Sequence, residues 1–115
     1  MADFKDRSQL VTMALEELGA IEAGQTPESE DFQKVDSYVD GLLAELRVRN
    51  VATVDDDDEI PIEWTRSLAM LLADECPVPF GKSKLAPQER RLIEQRLRSM
   101  AAARVTGEPL KTVYY

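Results

Sequence analysis

The chain has 115 residues, 43% of them hydrophobic, with a net charge of −8, one cysteine and no histidine. That length predicts one domain able to bury a core without staples. A single cysteine excludes an intrachain disulfide, and the absence of histidine removes the commonest general base and the commonest zinc ligand. No apolar run approaches the ~20 residues that cross a bilayer, and the polar start MADFKDRSQL lacks a signal-peptide core. Function without secretion or a membrane is the expectation. The charge is uneven: residues 1–59 carry five Lys/Arg and sixteen Asp/Glu, whereas residues 60–115 carry nine and six. The halves therefore stand at −11 and +3, which points to a polar partner surface, to repeated self-contact, or simply to two solvated faces.

A first helix is predicted from near Asp6 or Ser8 to Leu18. Asp6 with Gln9 fits a capping box, and Leu10, Val11, Ala14, Leu15 and Leu18 share one face. Gly19 stops it in the left-handed position that glycine tolerates. Thr26 and Pro27 announce the second helix, with Ser29 competing as N-cap. Glu28, Glu30 and Asp31 load its first turn with the charge that the helix dipole favours. Its buried stripe reads Phe32, Val35, Val39, Leu42, Leu43 and Leu46, with Arg47 and Arg49 near the end and Asn50 as the stop. Gly41 lies mid-helix, either for close packing or as a tolerated cost of about 1 kcal/mol.

Val51–Val54 is apolar but too short to make a sheet alone. The acidic run Asp55, Asp56, Asp57, Asp58 and Glu59 follows. As an EF-hand loop it would need Gly at Ile60 and Glu at Arg66, and neither is there. It reads as a solvated acidic loop, and no metal is expected. The stretch Ile60–Gly81 organises the chain and holds the third helix, opened at Pro61 and ended by Pro77, with Pro77–Ala86 as a loop. Pro61 suits a first helical position, Pro77 pushes Cys76 out of the α region, and Trp64, Leu68, Leu71 and Leu72 fall on one face. Leu68–Ala73 is apolar nearly all round, which predicts a central helix wrapped by others. Cys76 is read as a small core residue. Pro87 opens the last helix, with Leu92, Ile93, Leu97, Met100 and Ala101 as its apolar stripe and Arg90, Arg91, Arg96, Arg98 and Arg104 on its surface. Glu94 is placed to pair with Arg90 and Arg98 at i±4. Gly107 and Pro109 are expected to break that helix. The tail Val105–Tyr115 then reads as extended, with an apolar tip at Leu110, Val113, Tyr114 and Tyr115 that docks on a partner or folds back on its own domain.

No nucleophile elbow, phosphate loop or dinucleotide fingerprint is present, and no carboxylate pair is marked by an apolar pocket. The expectation is a non-enzyme without cofactors. The last-helix arginines could grip phosphates, but Glu89 and Glu94 interrupt them and no aromatics interleave.

Four segments, ALEELGAIEAGQTPESEDF (Ala14–Phe32), VDSYVDGLLAELR (Val35–Arg47), IPIEWTRSLAMLLADECPVPFG (Ile60–Gly81) and the arginine-bearing final helix with its tail, together resemble the head–tail adaptor proteins of tailed bacteriophages, also called head-completion or tail accessory factors. The likeness lies in helix punctuation: a helix ending in Leu-Gly, a Gly-x-Thr-Pro turn, a long second helix, and a proline-opened apolar helix. It implies an all-α, small four-helix bundle (residues 1–104) with an extended C-terminal tail (residues 105–115). The implied role is a ring, usually dodecameric, under the portal protein in the virion, assembled in the host cytoplasm. Such a ring extends the DNA channel, lets DNA pass without specific binding, and offers a platform to a downstream tail or stopper protein. The tail residues Val105, Leu110, Lys111, Thr112, Val113, Tyr114 and Tyr115 would contact the portal. Contacts between neighbouring copies are expected to pair Asp55, Asp56, Asp57 and Asp58 with Arg90, Arg91 and Arg98. The alternatives are a small helical DNA-packaging protein like a terminase small subunit, and a small regulatory domain such as an antitoxin.

Overall fold

The computed structural model describes residues 4–22, 24–76 and 85–113, with side chains to residue 103. The order is β1 (Phe4–Lys5), α1 (Arg7–Glu17), α2 (Ser29–Asp36), α3 (Val39–Val48), β2 (Ile60–Pro61), α4 (Ile62–Glu75) and α5 (Pro87–Val113). The molecule is mostly helical, compatible with an all-α class, and carries one small two-stranded sheet.

Local chemistry sets most helix ends. Asp6 caps α1 through a complete capping box: Gln9 N–H donates to Asp6 Oδ1 at 2.9 Å and Asp6 N–H to Gln9 Oε1 at 2.9 Å. Gly19 follows α1 at φ 75°, and Ala20 N–H returns to the Leu15 carbonyl at 3.0 Å. Asn50 does the same after α3 at φ 56°, with Val51 N–H on the Leu46 carbonyl at 2.8 Å. Both ends are Schellman closures, in which a left-handed residue satisfies orphan carbonyls. Cys76 is extended (ψ 149°), as the following proline requires. Pro87 begins α5, and Glu89 closes that end by accepting from Ala86 N–H at 3.0 Å. Neither Thr26 nor Ser29 caps α2: Glu28 holds that position without a side-chain bond. Pro61 is the N-cap residue of α4 rather than its first helical residue.

The expected long second helix is broken into α2 and α3 at Ser37 and Tyr38. Ser37 Oγ donates to the Lys34 carbonyl at 2.7 Å, and Tyr38 N–H turns to Val35 at 3.0 Å. A hydroxyl competing for a helix carbonyl in this way loosens the ladder. The Asp36 carbonyl, which a continuous helix would offer to Asp40, instead accepts from Arg7 Nη2 at 3.1 Å.

The core sits around α4, whose Trp64, Leu68, Ala69, Leu71, Leu72 and Ala73 are all buried. It packs against α1, α3, α5 and both strands. Leu10, Val11, Ala14, Leu15 and Leu18 of the first segment face it, as do Val35, Val39, Leu42 and Leu46. Each fully buried Leu contributes about 1.5–3 kcal/mol. Cys76 is a buried free thiol in this core. Gly41 has nothing within 4 Å of where a Cβ would stand, so it serves no close packing. Val51 and Ala52 are buried as irregular chain.

Three further features differ from what the sequence pattern announces. Phe4 and Lys5 pair antiparallel with Pro61 and Ile60, a sheet too short to announce itself. Leu92, assigned to the buried stripe, is 64% exposed. The face of α5 that reaches the core is carried by Ile93, Leu97, Met100 and Ala101, and Leu92 lies one step, about 100°, off it. Finally, α5 does not stop at Gly107 and Pro109 but runs to Val113. Gly107 and Pro109 cost a helix interior about 1 and 3 kcal/mol, and a proline ring also crowds the carbonyl four residues back, so the backbone is helical here against local propensity. Val105, Leu110, Lys111, Thr112 and Val113 therefore lie on helical backbone. Their side chains, and Tyr114 and Tyr115 entirely, fall outside the described residues.

Candidate functional site

Charge organises the surface around two arginines. Arg7 is the first residue of α1, so the capping box beneath it fixes where its side chain starts. Its Nε meets Asp36 Oδ1 at 2.7 Å, and Nη1 meets Asp40 Oδ1 and Asp57 Oδ2 at 2.8 Å each. With the bond to the Asp36 carbonyl, one guanidinium ties α1 to the α2–α3 break and to the acidic loop. The planar fork of arginine suits this, since its five donors point in fixed directions. The Asp36 bond, followed by those to Asp57 and Asp40, raises the Arg7 pKa still further above its ordinary range.

The acidic loop is thus partly committed. Asp57 faces Arg7. Asp56 Oδ1 accepts from Asp58 N–H at 2.9 Å, and the Asp56 carbonyl accepts from Glu59 N–H at 2.9 Å, a tight local turn. Asp55 reaches Arg47 only at 3.9 Å, with both side chains exposed, a pair worth little. Carboxylate oxygens of Asp56, Asp57 and Asp58 lie within 4.8 Å of one another, the spacing that could hold a cation. Arg7 already supplies a positive charge to the middle one. A cleft of about 360 Å³ opens between this loop and α3, lined by Asp40, Leu43, Arg47, Val54 and Asp55 among others.

Arg90 is the second hub. It meets Asp74 at 2.6 Å, Glu75 at 2.9 Å, Glu94 at 3.0 Å and, more loosely, Glu45 at 3.6 Å. Arg49 grips the same Glu94 with both Nη atoms, at 3.0 and 2.6 Å. Glu94 is buried, and burial pushes its pKa up. The bonds from Arg49 and Arg90 outweigh that and hold it below the ordinary carboxylate value. A carboxylate kept ionised in this way is a structural tie. A general acid needs the opposite shift. The i+4 partner expected for Glu94, Arg98, instead donates to the Asn50 carbonyl at 3.3 Å.

Of the residues expected to join neighbouring copies, Asp57, Arg90 and Arg98 are therefore engaged inside the chain. Asp55, Asp56, Asp58 and Arg91 remain exposed, and Arg91 meets no carboxylate among the described residues. The structure does not bring the acidic four into contact with Arg90, Arg91 or Arg98. It shows two further features that residue spacing gave no reason to single out. One is a recess of about 360 Å³ formed by Val51, Ala52, Trp64, Arg98 and Ala101. The Trp64 indole Nε1 is buried beside it with no acceptor among the described residues. The other is an outer groove of about 300 Å³ between α4 and α5, lined by Arg66, Met70, Leu85, Leu92, Ile93 and Arg96 with Glu89 at its edge. Helical spacing could have placed Arg66 with Met70, but only the packing of α5 on α4 sets Arg96 beside them.

No helix among the described residues is long and apolar enough to cross a membrane. No family model matches the chain, and no significant likeness to a curated protein or to a solved structure was found.

Proposed function

We propose that this chain is a structural connector of a tailed-phage virion, a head–tail adaptor subunit that sits in a ring beneath the portal protein. On this reading α1, the broken α2–α3 pair, α4 and α5 form a four-helix bundle that serves as the inert body, and the far end of α5 is the handle. The observation that carries it is α5 itself. Its 27 residues span about 40 Å, against a longest molecular dimension of 53 Å. Its described core contacts lie between Ile93 and Ala101, while its backbone continues to Val113. A portal-docking element at Val105, Leu110, Lys111, Thr112 and Val113 would then be presented as helix, with Tyr114 and Tyr115 following. The acidic excess suits a channel that passes DNA without holding it, since like charge disfavours sticking. A downstream tail or stopper protein would bind the opposite side of the ring.

Co-purification with a phage portal ring tests this. The full chain should be retained, and a chain cut after Arg104 should be lost. Equal retention of both would remove the end of α5 from the mechanism, and no retention of either would remove the connector reading. A gel shift on double-stranded DNA at low salt separates the packaging alternative, which requires binding where an adaptor gives none.

A further inference from the structure

We infer that the outer α4–α5 groove is a docking surface for the acidic Val54–Asp58 face of a second copy of this chain. The inference rests on the ring reading above and names the faces that would meet. Ile62, Arg66 and Met70 recur every fourth residue on the flank of α4 turned away from the core, and Leu92 and Arg96 do so on α5. Two of the four exposed large hydrophobic residues among the described residues, Ile62 at 48% and Leu92 at 64%, lie on these stripes. The groove floor is apolar, with Met70, Leu85 and Ile93. Above it stand two exposed guanidiniums, Arg66 and Arg96, that meet no carboxylate among the described residues. That sets them apart from Arg7, Arg49 and Arg90, which are all engaged. The one acid at the edge, Glu89, is committed to the Ala86 N–H.

A groove of this chemistry takes an apolar residue flanked by exposed carboxylates. The chain itself carries one. Val54 is half-buried at the mouth of the acidic cleft, and Asp55, Asp56, Asp58 and Glu59 are exposed around it. The groove and the acidic face share no residue, so the contact is heterologous: each copy offers its groove to one neighbour and its acids to the other. Such contacts propagate head to tail and close into a ring when the rotation allows. The cationic side of this contact is Arg66 and Arg96, in place of Arg90 and Arg98.

Sedimentation velocity at low ionic strength tests it with two variants of the full chain. Arg66→Glu/Arg96→Glu alters the groove, and Asp55→Lys/Asp58→Lys alters the acidic face. Asp56 is left in place because its carboxylate closes the loop turn. Circular dichroism checks that each variant folds. The parent chain should self-associate, and either variant should raise the dissociation constant by roughly tenfold or more, an effect that salt shrinks. An equimolar mixture of the two should assemble again with the variants alternating, since the two intact faces meet at one contact and the two reversed faces at the next. A chain carrying all four reversals should assemble again. A parent that stays monomeric, variants that assemble like the parent, or a mixture that does not assemble would each overturn the inference. A monomeric chain that the portal still retains would reject this interface and leave the connector reading standing. A chain that assembles through the groove but is not retained would do the reverse.

Discussion

Replacing Arg7 by Met should cost about 2–4 kcal/mol of folding stability. Methionine keeps the length and apolar stem of the side chain, so the change isolates the guanidinium. Four bonds are lost: to the Asp36 carboxylate and carbonyl, to Asp40 and to Asp57. They are not equal. Asp40 is 81% exposed and its pair is discounted nearly to zero, whereas Asp36 and Asp57 are each 35% exposed. Discounted for that exposure, the two remaining bonds to charged groups are worth about 0.5–1.5 kcal/mol each, and the neutral carbonyl about 1. Three carboxylates are also left facing one another without a cation. The sum is a large share of the ~5–15 kcal/mol that holds a domain of this size together.

Urea unfolding followed by fluorescence of Trp64, the one tryptophan and 5% exposed, reads this directly. A second signature comes from salt. In the parent, salt screens the attraction between Arg7 and its partners, and in Arg7→Met it screens repulsion among the three aspartates. Added salt should therefore narrow the gap between the two proteins. Arg47→Met, which removes only the 3.9 Å exposed contact to Asp55, is the control and should change stability by less than about 0.5 kcal/mol. A loss below about 1 kcal/mol for Arg7→Met, or a gap that salt leaves unchanged, would refute the claim that this arginine staples three segments.

Two glycines should respond in opposite directions. Gly19→Ala forces a side chain to φ 75° and should cost about 1–2 kcal/mol although nothing stands within 4 Å. Gly41→Ala, inside α3 with equally open surroundings, should gain about 0.5–1 kcal/mol; thermal midpoints decide both. The Glu94 pKa is lowered in the folded chain, so its contribution is fully present above the unfolded glutamate pKa and is lost as pH falls through the folded value. Urea midpoints should fall on acidification below about pH 4.5, and Glu94→Gln should flatten part of that fall while lowering stability at pH 7.

Where the chain speaks through neighbours three or four residues apart, its structure is legible in its letters. Asp6 with Gln9, the left-handed Gly19 and Asn50, the extended Cys76 before Pro77, and Pro87 at the head of α5 all act within one turn. The apolar stripes of α1 and α4 likewise point inward as their periodicity demands. The α2–α3 break is different. Ser37 alone is an ordinary helix residue, and the Asp36 carbonyl beside it is held by Arg7, some thirty positions earlier, a partner that no local pattern announces. The β1–β2 pairing joins segments more than fifty residues apart. Leu92 looked buried because Leu92 and Ile93 are adjacent and only one can face α4. The run of α5 past Pro109 goes against the local propensity that Gly107 and Pro109 set, so those residues do not announce it.

The candidate surface was legible in composition and not in position, for a reason the ion pairs make plain. A −11 half and a +3 half suggest two faces, yet Arg49 of the first half grips Glu94 of the second, and Glu45 of the first leans on Arg90 of the second. Arg7 in turn absorbs three aspartates of its own half. Net charge by segment counts these spent groups as if they faced outward. What a partner meets is the remainder after internal pairing. On the cationic side that remainder includes Arg66, Arg91 and Arg96, two of them at one apolar groove. On the anionic side it includes Asp55 and Asp58, at the mouth of another cleft. The chain's polarity toward other molecules is therefore set by which arginines the fold leaves unused, and the substitutions that alter it belong at those positions rather than at the hubs, where they would also cost folding stability.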